Sequence, residues 1–289
     1  MEAALSDRGL GRRIVSAVSV SGGCINRGAR IETGSGVALF LKWSPSSPTG
    51  MFEAEADGLR ALSQFSSLRV PEPLAWGDGQ DGAAWLLMEH VSPGPPSAAS
   101  ERALGRGLAE MHDRVVRGGF GFGRDNWIGS LEQRNAVAAR WGDFWRDRRI
   151  EPQLLLARAQ GRARDADFDA LLDVIPGALA DVDRPELVHG DLWAGNWFAS
   201  ERDEPVIIDP AAYRGHGEVD LAMSELFGGF SATFYDAYHE ARIIDRAYHA
   251  YRRNLYQLYY LLVHVNLFGA SYEAGALRAA QRVVAGLGG

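Results

Sequence analysis

Between Leu187 and Pro210 the chain reads LVHGDLWAGNWFASERDEPVIIDP, and no other stretch restricts the possible folds so tightly. The runs NWFAS and PVIID flank a charged turn, ERDE, which is the pattern of a β-hairpin. Asn196 is expected to begin the first strand and Asp209 to end the second, so antiparallel pairing brings both to the open end of the hairpin. Asp191 lies in the loop just before it. Three oxygen-bearing side chains therefore converge at one mouth. An amide carbonyl and a carboxylate are hard oxygen donors of the kind that hold Mg²⁺ together with substrate phosphates. A neighbouring carboxylate left off the metal can accept the proton of an attacking hydroxyl. The plain alternative is a surface hairpin with ordinary turn-forming Asp and Asn.

The order of these residues matches phosphoryl-transfer sites, in which a catalytic Asp precedes a metal-binding Asn by five positions and a second Asp then binds the metal. Such a site needs an upstream lysine for the phosphates. Lys42, in VALFLKW, is the only lysine in the chain. Arginine fills almost every other basic position, and a compact ammonium is not interchangeable with a planar guanidinium. The lysine in turn needs a carboxylate. In the predicted helix Met51 to Phe65, Phe52, Glu55, Ala56, Leu59 and Leu62 share the apolar face, whereas Glu53, Asp57, Arg60 and Gln64 share the polar one. A core-facing carboxylate is costly unless paired. Glu55 is thus the expected partner of Lys42 and Glu53 is expected to be solvated, although Glu55 can also simply flank the apolar stripe. Ser21, Gly22 and Gly23 sit in a turn whose N–H groups can approach a phosphate. Glu89 and Val91, at the end of LLMEHV, can offer backbone groups to an adenine; this reading rests on position alone.

Around these residues the chain divides into a strand-rich beginning and a helical remainder. RRIVSAVSV and ARIETGSGVALFLKW read as a meander with turns at Gly22-Gly23 and Gly34–Gly36, and AAWLLMEHV as a further strand. SPGPPSAAS, Ser92 to Ser100, has the composition of a boundary. Beyond it, Leu104, Leu108, Met111 and Val115 define one apolar helix face. WGDFWRDRRIEPQLLLARA and the region Ala247 to Val284 read as further helices. The expected class is α+β, with a small antiparallel-sheet N-lobe over residues 1–91 and a larger, mainly helical C-lobe over 92–289.

A formal charge of −7 leaves no basic excess for nucleic acid. The apolar stretch Leu255 to Gly269 is interrupted by Gln257, His264 and Asn266 and is too short to span a bilayer. No export signal is recognised, so a cytoplasmic protein without a membrane is expected. Cys24, the single cysteine, excludes an intramolecular disulfide framework and a Cys-based zinc site.

HGDLWAGNW together with IDP resembles the fructosamine/ketosamine-3-kinase family, within the aminoglycoside-phosphotransferase-like and protein-kinase-like enzymes. GGCIN, FLKW, MFEAEADGLRAL, VPEPLAWG, GFGFGRDNWIGS and YQLYYLLVHVNLFG extend the resemblance in order from Ser19 to Gly269. GGCIN departs from the Gly-x-Gly-x-x-Gly of protein kinases. The resemblance implies a protein-kinase-like two-lobe fold and an ATP- and Mg²⁺-dependent transfer of phosphate to the O3 hydroxyl of a ketosamine. Free or protein-bound ribulosamine and fructosamine adducts are the implied substrates, and monomer and homodimer both remain open. By position it implies Asp191 as general base, Asn196 and Asp209 as metal ligands, and Lys42 with Glu55 on the phosphates. His189 would brace the loop and Asp220 would anchor its backbone. Trp193 either stacks on the substrate or packs under its loop, and Trp197 is assigned to the core. Cys24, inside the phosphate turn, is a candidate redox site or an unreactive small residue. His216, His264 and Asn266 either line the pocket or satisfy buried polar groups. A kinase for an aminoglycoside or choline-like amine is the alternative reading, and a non-catalytic binding protein on the same scaffold a further one.

Overall fold

A computed structural model describes residues 13–20, 26–78 and 83–288, with Leu5 and Gly9. Ser21, Gly22, Gly23 and Cys24 lie outside the described residues. The meander is present: β1 (Ile14–Val20), β2 (Arg27–Thr33) and β3 (Ala38–Ser44) pair antiparallel in sequence. Gly36, at φ 80°, closes the β2–β3 turn, where the Thr33 N–H donates to the Val37 carbonyl at 3.0 Å. Helix α1 (Met51–Phe65) follows, then β4 (Pro73–Asp78) and β5 (Ala84–Glu89). The sheet order is β1-β2-β3-β5-β4, with Lys42 of β3 opposite Leu86 of β5. β4 was not expected from sequence. Its Pro and Gly mask the strand pattern, and pairing with β5 along one edge makes it a strand.

The short strand β6 (Pro93–Gly94) precedes α2 (Ala98–Asp113), which Ser97 caps through a reciprocal capping box with Ser100. Leu104, Leu108 and Met111 are buried as the periodicity predicts. Val115 is 73% exposed, a correction: the helix ends at Asp113, before that residue can join the stripe. The hairpin β7 (Asn126–Ile128) and β8 (Leu131–Gln133) leads to α3 (Trp141–Trp145), a π-turn over Arg146–Ile150, and α4 (Glu151–Ala159). After α5 (Asp167–Ala178) come β9 (Glu186–Val188), β10 (Trp197–Ser200), β11 (Pro205–Ile207) and β12 (Tyr213–Gly215). Then α6 (Glu218–Leu226), α7 (Ala232–Ala241), a second π-turn at Tyr248–Arg252, α8 (Arg253–Phe268) and α9 (Glu273–Leu287) complete the helical part.

One hydrophobic core runs from Phe52, Leu59 and Leu62 of α1 through Leu86 and Met88 of β5 to Leu104 and Leu108 of α2 and the aromatics Trp141, Phe144, Trp145, Tyr213 and Tyr256. Alternation along β5 turns Leu87 to the other face, where it packs with Ile31 and Leu39. The α1 helix also presses Gly58 towards Pro210 and Ala212, where an added Cβ would sit 3.4–3.5 Å from their side chains. That packing carries the carboxylate of Glu55, one turn earlier, to the end of the β10–β11 hairpin.

Candidate active site

The hairpin forms as its sequence suggests, with shorter strands. Asn196 lies in a 3₁₀ turn (Ala194–Asn196) that precedes β10, and Asp209 lies two residues past the end of β11. The bounds expected from sequence are corrected by these turns, but the convergence remains, because the Ile208 N–H donates to the Asn196 carbonyl at 3.0 Å and extends the ladder. Asp209 has φ 56°, a left-handed conformation rare outside glycine and best tolerated by Asp and Asn.

Lys42 is buried, and its Nζ donates to both oxygens of Glu55 at 2.8 and 2.9 Å and lies 3.0 Å from Asp209 Oδ1. Burial disfavours the ammonium, yet the carboxylates of Asp209 and Glu55 outweigh it and hold the Lys42 pKa above its ordinary value. Burial raises the proton affinity of Glu55 against the opposing charge of Lys42. The two-oxygen contact is that of an ionised pair, and we read Glu55 as a carboxylate at neutral pH. Glu53 is not simply solvated: it pairs with Arg124 at 2.7 Å, and Asp57 joins the same guanidinium at 3.2 Å.

The amide nitrogen of Asn196 donates to the Asp191 carbonyl at 2.8 Å, to Asp191 Oδ2 at 3.2 Å and to the Asp209 carbonyl at 3.4 Å. With the nitrogen so committed, the amide oxygen is the end left for a hard cation, beside the 37%-exposed Asp209 carboxylate. That donor set, one amide oxygen and one carboxylate at an open mouth, fits Mg²⁺. Burial, joined by the charge of Asp209, pushes the Asp191 carboxyl well above its ordinary range despite the Asn196 hydrogen bond.

The loop that carries Asp191 is held from below. Asp220 accepts the His189 N–H at 2.7 Å and the Gly190 N–H at 2.8 Å. Gly190 has φ 80°, and a Cβ there would lie 2.3 Å from the Ala211 carbonyl oxygen. His189 accepts the Asp191 N–H through Nδ1 at 3.3 Å, so its Nε2–H donates to the Ile208 carbonyl at 2.9 Å. Burial lowers the His189 pKa and keeps the ring neutral. Sequence reasoning missed three supports. His112 Nε2 meets Asp220 Oδ2 at 3.1 Å, Tyr238 OH meets His112 Nδ1 at 2.9 Å, and Tyr260 OH donates to the Gly190 carbonyl at 2.8 Å. The signal for His112 was present: it sits four residues after Leu108, a histidine on the apolar stripe of α2.

The family model for fructosamine kinase matches residues 2–286. The chain belongs to the fructosamine kinase family. It is 41% identical over 268 residues to a probable ketoamine kinase of Synechocystis, covering 91% of this chain and 88% of that protein. A chloroplastic protein-ribulosamine 3-kinase of Arabidopsis thaliana is 39% identical over 273 residues, covering 93% and 82%. The crystal structure of a candidate fructosamine-3-kinase from Haemophilus somnus superposes with a TM-score of 0.88 at 26% identity, covering 98% of this chain and 96% of that one. The fold is the protein-kinase-like one shared with aminoglycoside phosphotransferases. As a member of this family the chain is an ATP-dependent kinase.

Within this fructosamine kinase fold the remaining expected site residues separate. The Trp193 ring is half-buried against its own loop, where a Cβ on Gly195 would meet it at 2.3–2.7 Å. Trp197 is half-buried and stacks on Phe230 at 6.3 Å between centroids. The Glu89 N–H is not free for a nucleobase, because it donates to the Glu72 carbonyl at 2.9 Å, while the Glu89 side chain pairs with Arg69. His216 is buried and bonded to Tyr256 OH at 2.8 Å, and the Asn266 amide nitrogen donates to Gln153 Oε1 at 2.7 Å, so both make packed polar contacts inside the protein. No helix among the described residues is long and apolar enough to cross a membrane.

Proposed function

We propose that this kinase transfers the γ-phosphate of ATP to the O3 hydroxyl of a ketosamine, with residues 1–91 as the nucleotide lobe and 92–289 as the catalytic and substrate lobe. Asp191 is the general base: the hydroxyl proton passes to its carboxylate as the substrate oxygen bonds to the γ-phosphorus. The bond from that phosphorus to the bridging oxygen breaks, and its electron pair leaves with ADP. Burial raises the affinity of Asp191 for that proton. Lys42, oriented by Glu55, holds the phosphates, and the adenine edge is assigned, from position at the end of LLMEHV alone, to the backbone of Glu89 and Val91, with the Glu89 N–H excluded. Asn196 and Asp209 would hold Mg²⁺, which when bound neutralises charge developing on the transferring phosphoryl group. Trp193 stacks against the sugar of the substrate.

The observation that carries this reading is the Lys42 bridge, one ammonium within 3.0 Å of both Glu55 and Asp209, set across the same mouth as the Asn196-held Asp191. A cation and carboxylates converging at one open mouth suit an anionic, metal-bound group. The test is ATP consumption with Mg²⁺ against a ribulosamine, a fructosamine, an erythrulosamine, an aminoglycoside and choline. Turnover is expected on the ketosamines alone, and Asp191→Ala is expected to reduce it by at least about a thousandfold while sparing nucleotide binding. Turnover confined to the aminoglycoside or choline would overturn the substrate assignment, and an active Asp191→Ala enzyme would overturn the base.

A further inference from the structure

Along α8 the residues Tyr256, Tyr260, His264 and Phe268 recur every four positions, each next to the one before it on a stripe that winds slowly around the helix. Tyr256 is buried against Trp141, with the Trp141 Nε1–H donating to its hydroxyl at 3.0 Å. Tyr260 holds the Gly190 carbonyl, next to Asp191. One turn further, the same stripe reaches the surface beside the loop that presents the candidate base.

There an aromatic cluster opens to solvent. The His264 ring has Phe227 at 4.7 Å, Tyr272 at 4.9 Å and Phe268 at 5.2 Å between centroids. Phe227 is 43% and Phe268 51% exposed, and among the described residues no other Phe, Tyr or Trp is classed as exposed. Exposed apolar groups scattered singly need no explanation, but the two exposed aromatics of this chain both flank one histidine. Phe227 also leads into Gly228-Gly229, and a Cβ on Gly229 would lie 2.5 Å from Ala194 Cβ, one residue after Trp193. The cluster therefore adjoins the Asp191–Asn196 loop from two directions, through α8 and through the end of α6.

The histidine is set as an acceptor. Its Nδ1 faces the Tyr260 carbonyl at 2.8 Å, and since a carbonyl can only accept, Nδ1 carries the proton and Nε2 keeps a lone pair. Burial lowers the His264 pKa, which favours the neutral ring. Aromatic faces attract a cation, and an sp² nitrogen accepts from its N–H. We propose that Phe227, His264 and Phe268 form the subsite for the protonated amine and aliphatic arm that carry the ketosugar, so that the enzyme reads what the sugar is attached to as well as the sugar. The occupant follows from the chemistry of the surface: ring faces and a neutral acceptor suit an alkylammonium arm. The inference rests on the ketosamine reading of the site.

The test compares a ribulosamine carried on methylamine with one carried on the ε-amine of a lysine peptide, in the wild type and in the Phe227→Ala/Phe268→Ala double variant. Both rings are exposed, so the fold is expected to survive, and KM for ATP serves as the check. The double variant is expected to raise KM about two- to threefold for the methylamine-borne substrate, which brings only the ammonium, and about tenfold for the lysine-borne one, which brings the arm as well. His264→Gln, which keeps an acceptor, is expected to move KM less than His264→Leu. An active wild type with equal effects on the two substrates, or none, overturns the subsite alone. A wild type inert on both ketosamines overturns the ketosamine reading and the subsite with it.

Discussion

At the scale of single residues, the pair Glu53 and Glu55 shows how two positions decide a role. Both stand in the first turns of α1, but helical phase sends Glu55 to the buried Lys42 and leaves Glu53 on the surface with Arg124. A charge-assisted hydrogen bond in a buried site is worth about 1.5–3 kcal/mol, whereas a surface ion pair is worth about 0–1 kcal/mol. Glu55→Gln is therefore expected to lower kcat/KM for ATP about ten- to a hundredfold, with Lys42 relaxing towards Asp209. Glu53→Gln should remain within about twofold of wild type. Steady-state kinetics of the two variants side by side checks the assignment, and similar losses would remove it.

At the scale of elements, the polar groups that hold the Asp191 loop come from helices and strands far apart in sequence, and burial favours pairing them within the protein. The junction between β12 and α6 is one example. His216 bonds to Tyr256 of α8, and burial, against the support of Glu186 and aided by Arg252 and Arg242, lowers its pKa to about 3. The ring is thus neutral in the folded protein but takes a proton near pH 6.5 in the unfolded chain. Between those values the unfolded state binds the extra proton, so stability falls as pH drops from about 6.5, at up to ~1.4 kcal/mol per unit. His216→Gln removes this titration. Urea unfolding at pH 7 and pH 5 should show the wild type losing about 2 kcal/mol more than the variant over that interval. Equal losses would place the titration elsewhere.

At the scale of the whole molecule, the site depends on how closely α2 and α7 cross. A Cβ added at Gly105 of α2 would lie 2.3 Å from the Phe234 carbonyl oxygen and 3.1 Å from Ala237 Cβ of α7. These helices also carry His112 and Tyr238, the two links behind Asp220. Gly105→Ala is expected to cost about 1–3 kcal/mol by overpacking and to reduce kcat more than KM for ATP, because the displaced links act on the Asp191 loop and not on Lys42. Thermal unfolding combined with kinetics checks this; an unchanged melting temperature would show that the crossing can relax.

What the sequence determined by itself was local. Period-two runs marked β1, β2, β3 and β5, a 3.6-residue stripe marked α1 with the bounds observed, and the charged turn ERDE marked the hairpin that gathers Asp191, Asn196 and Asp209. Those signals are legible because strand alternation, helical phase and hairpin closure are set by neighbours in the chain. The pairing of Lys42 with Glu55 was legible for the same reason, since burying a carboxylate demands a partner and the chain offers one lysine. Tertiary structure alone decided the rest. It made an edge strand of Pro73–Asp78, sent Val115 into solvent and took the Glu89 N–H for Glu72. It also brought His112, Tyr238 and Tyr260 beneath the loop and drew Phe227 to His264 across 37 residues of chain. Those contacts join residues whose separation in sequence carries no periodic signal, so they exist only once the core has packed and brought these buried polar groups within reach of one another.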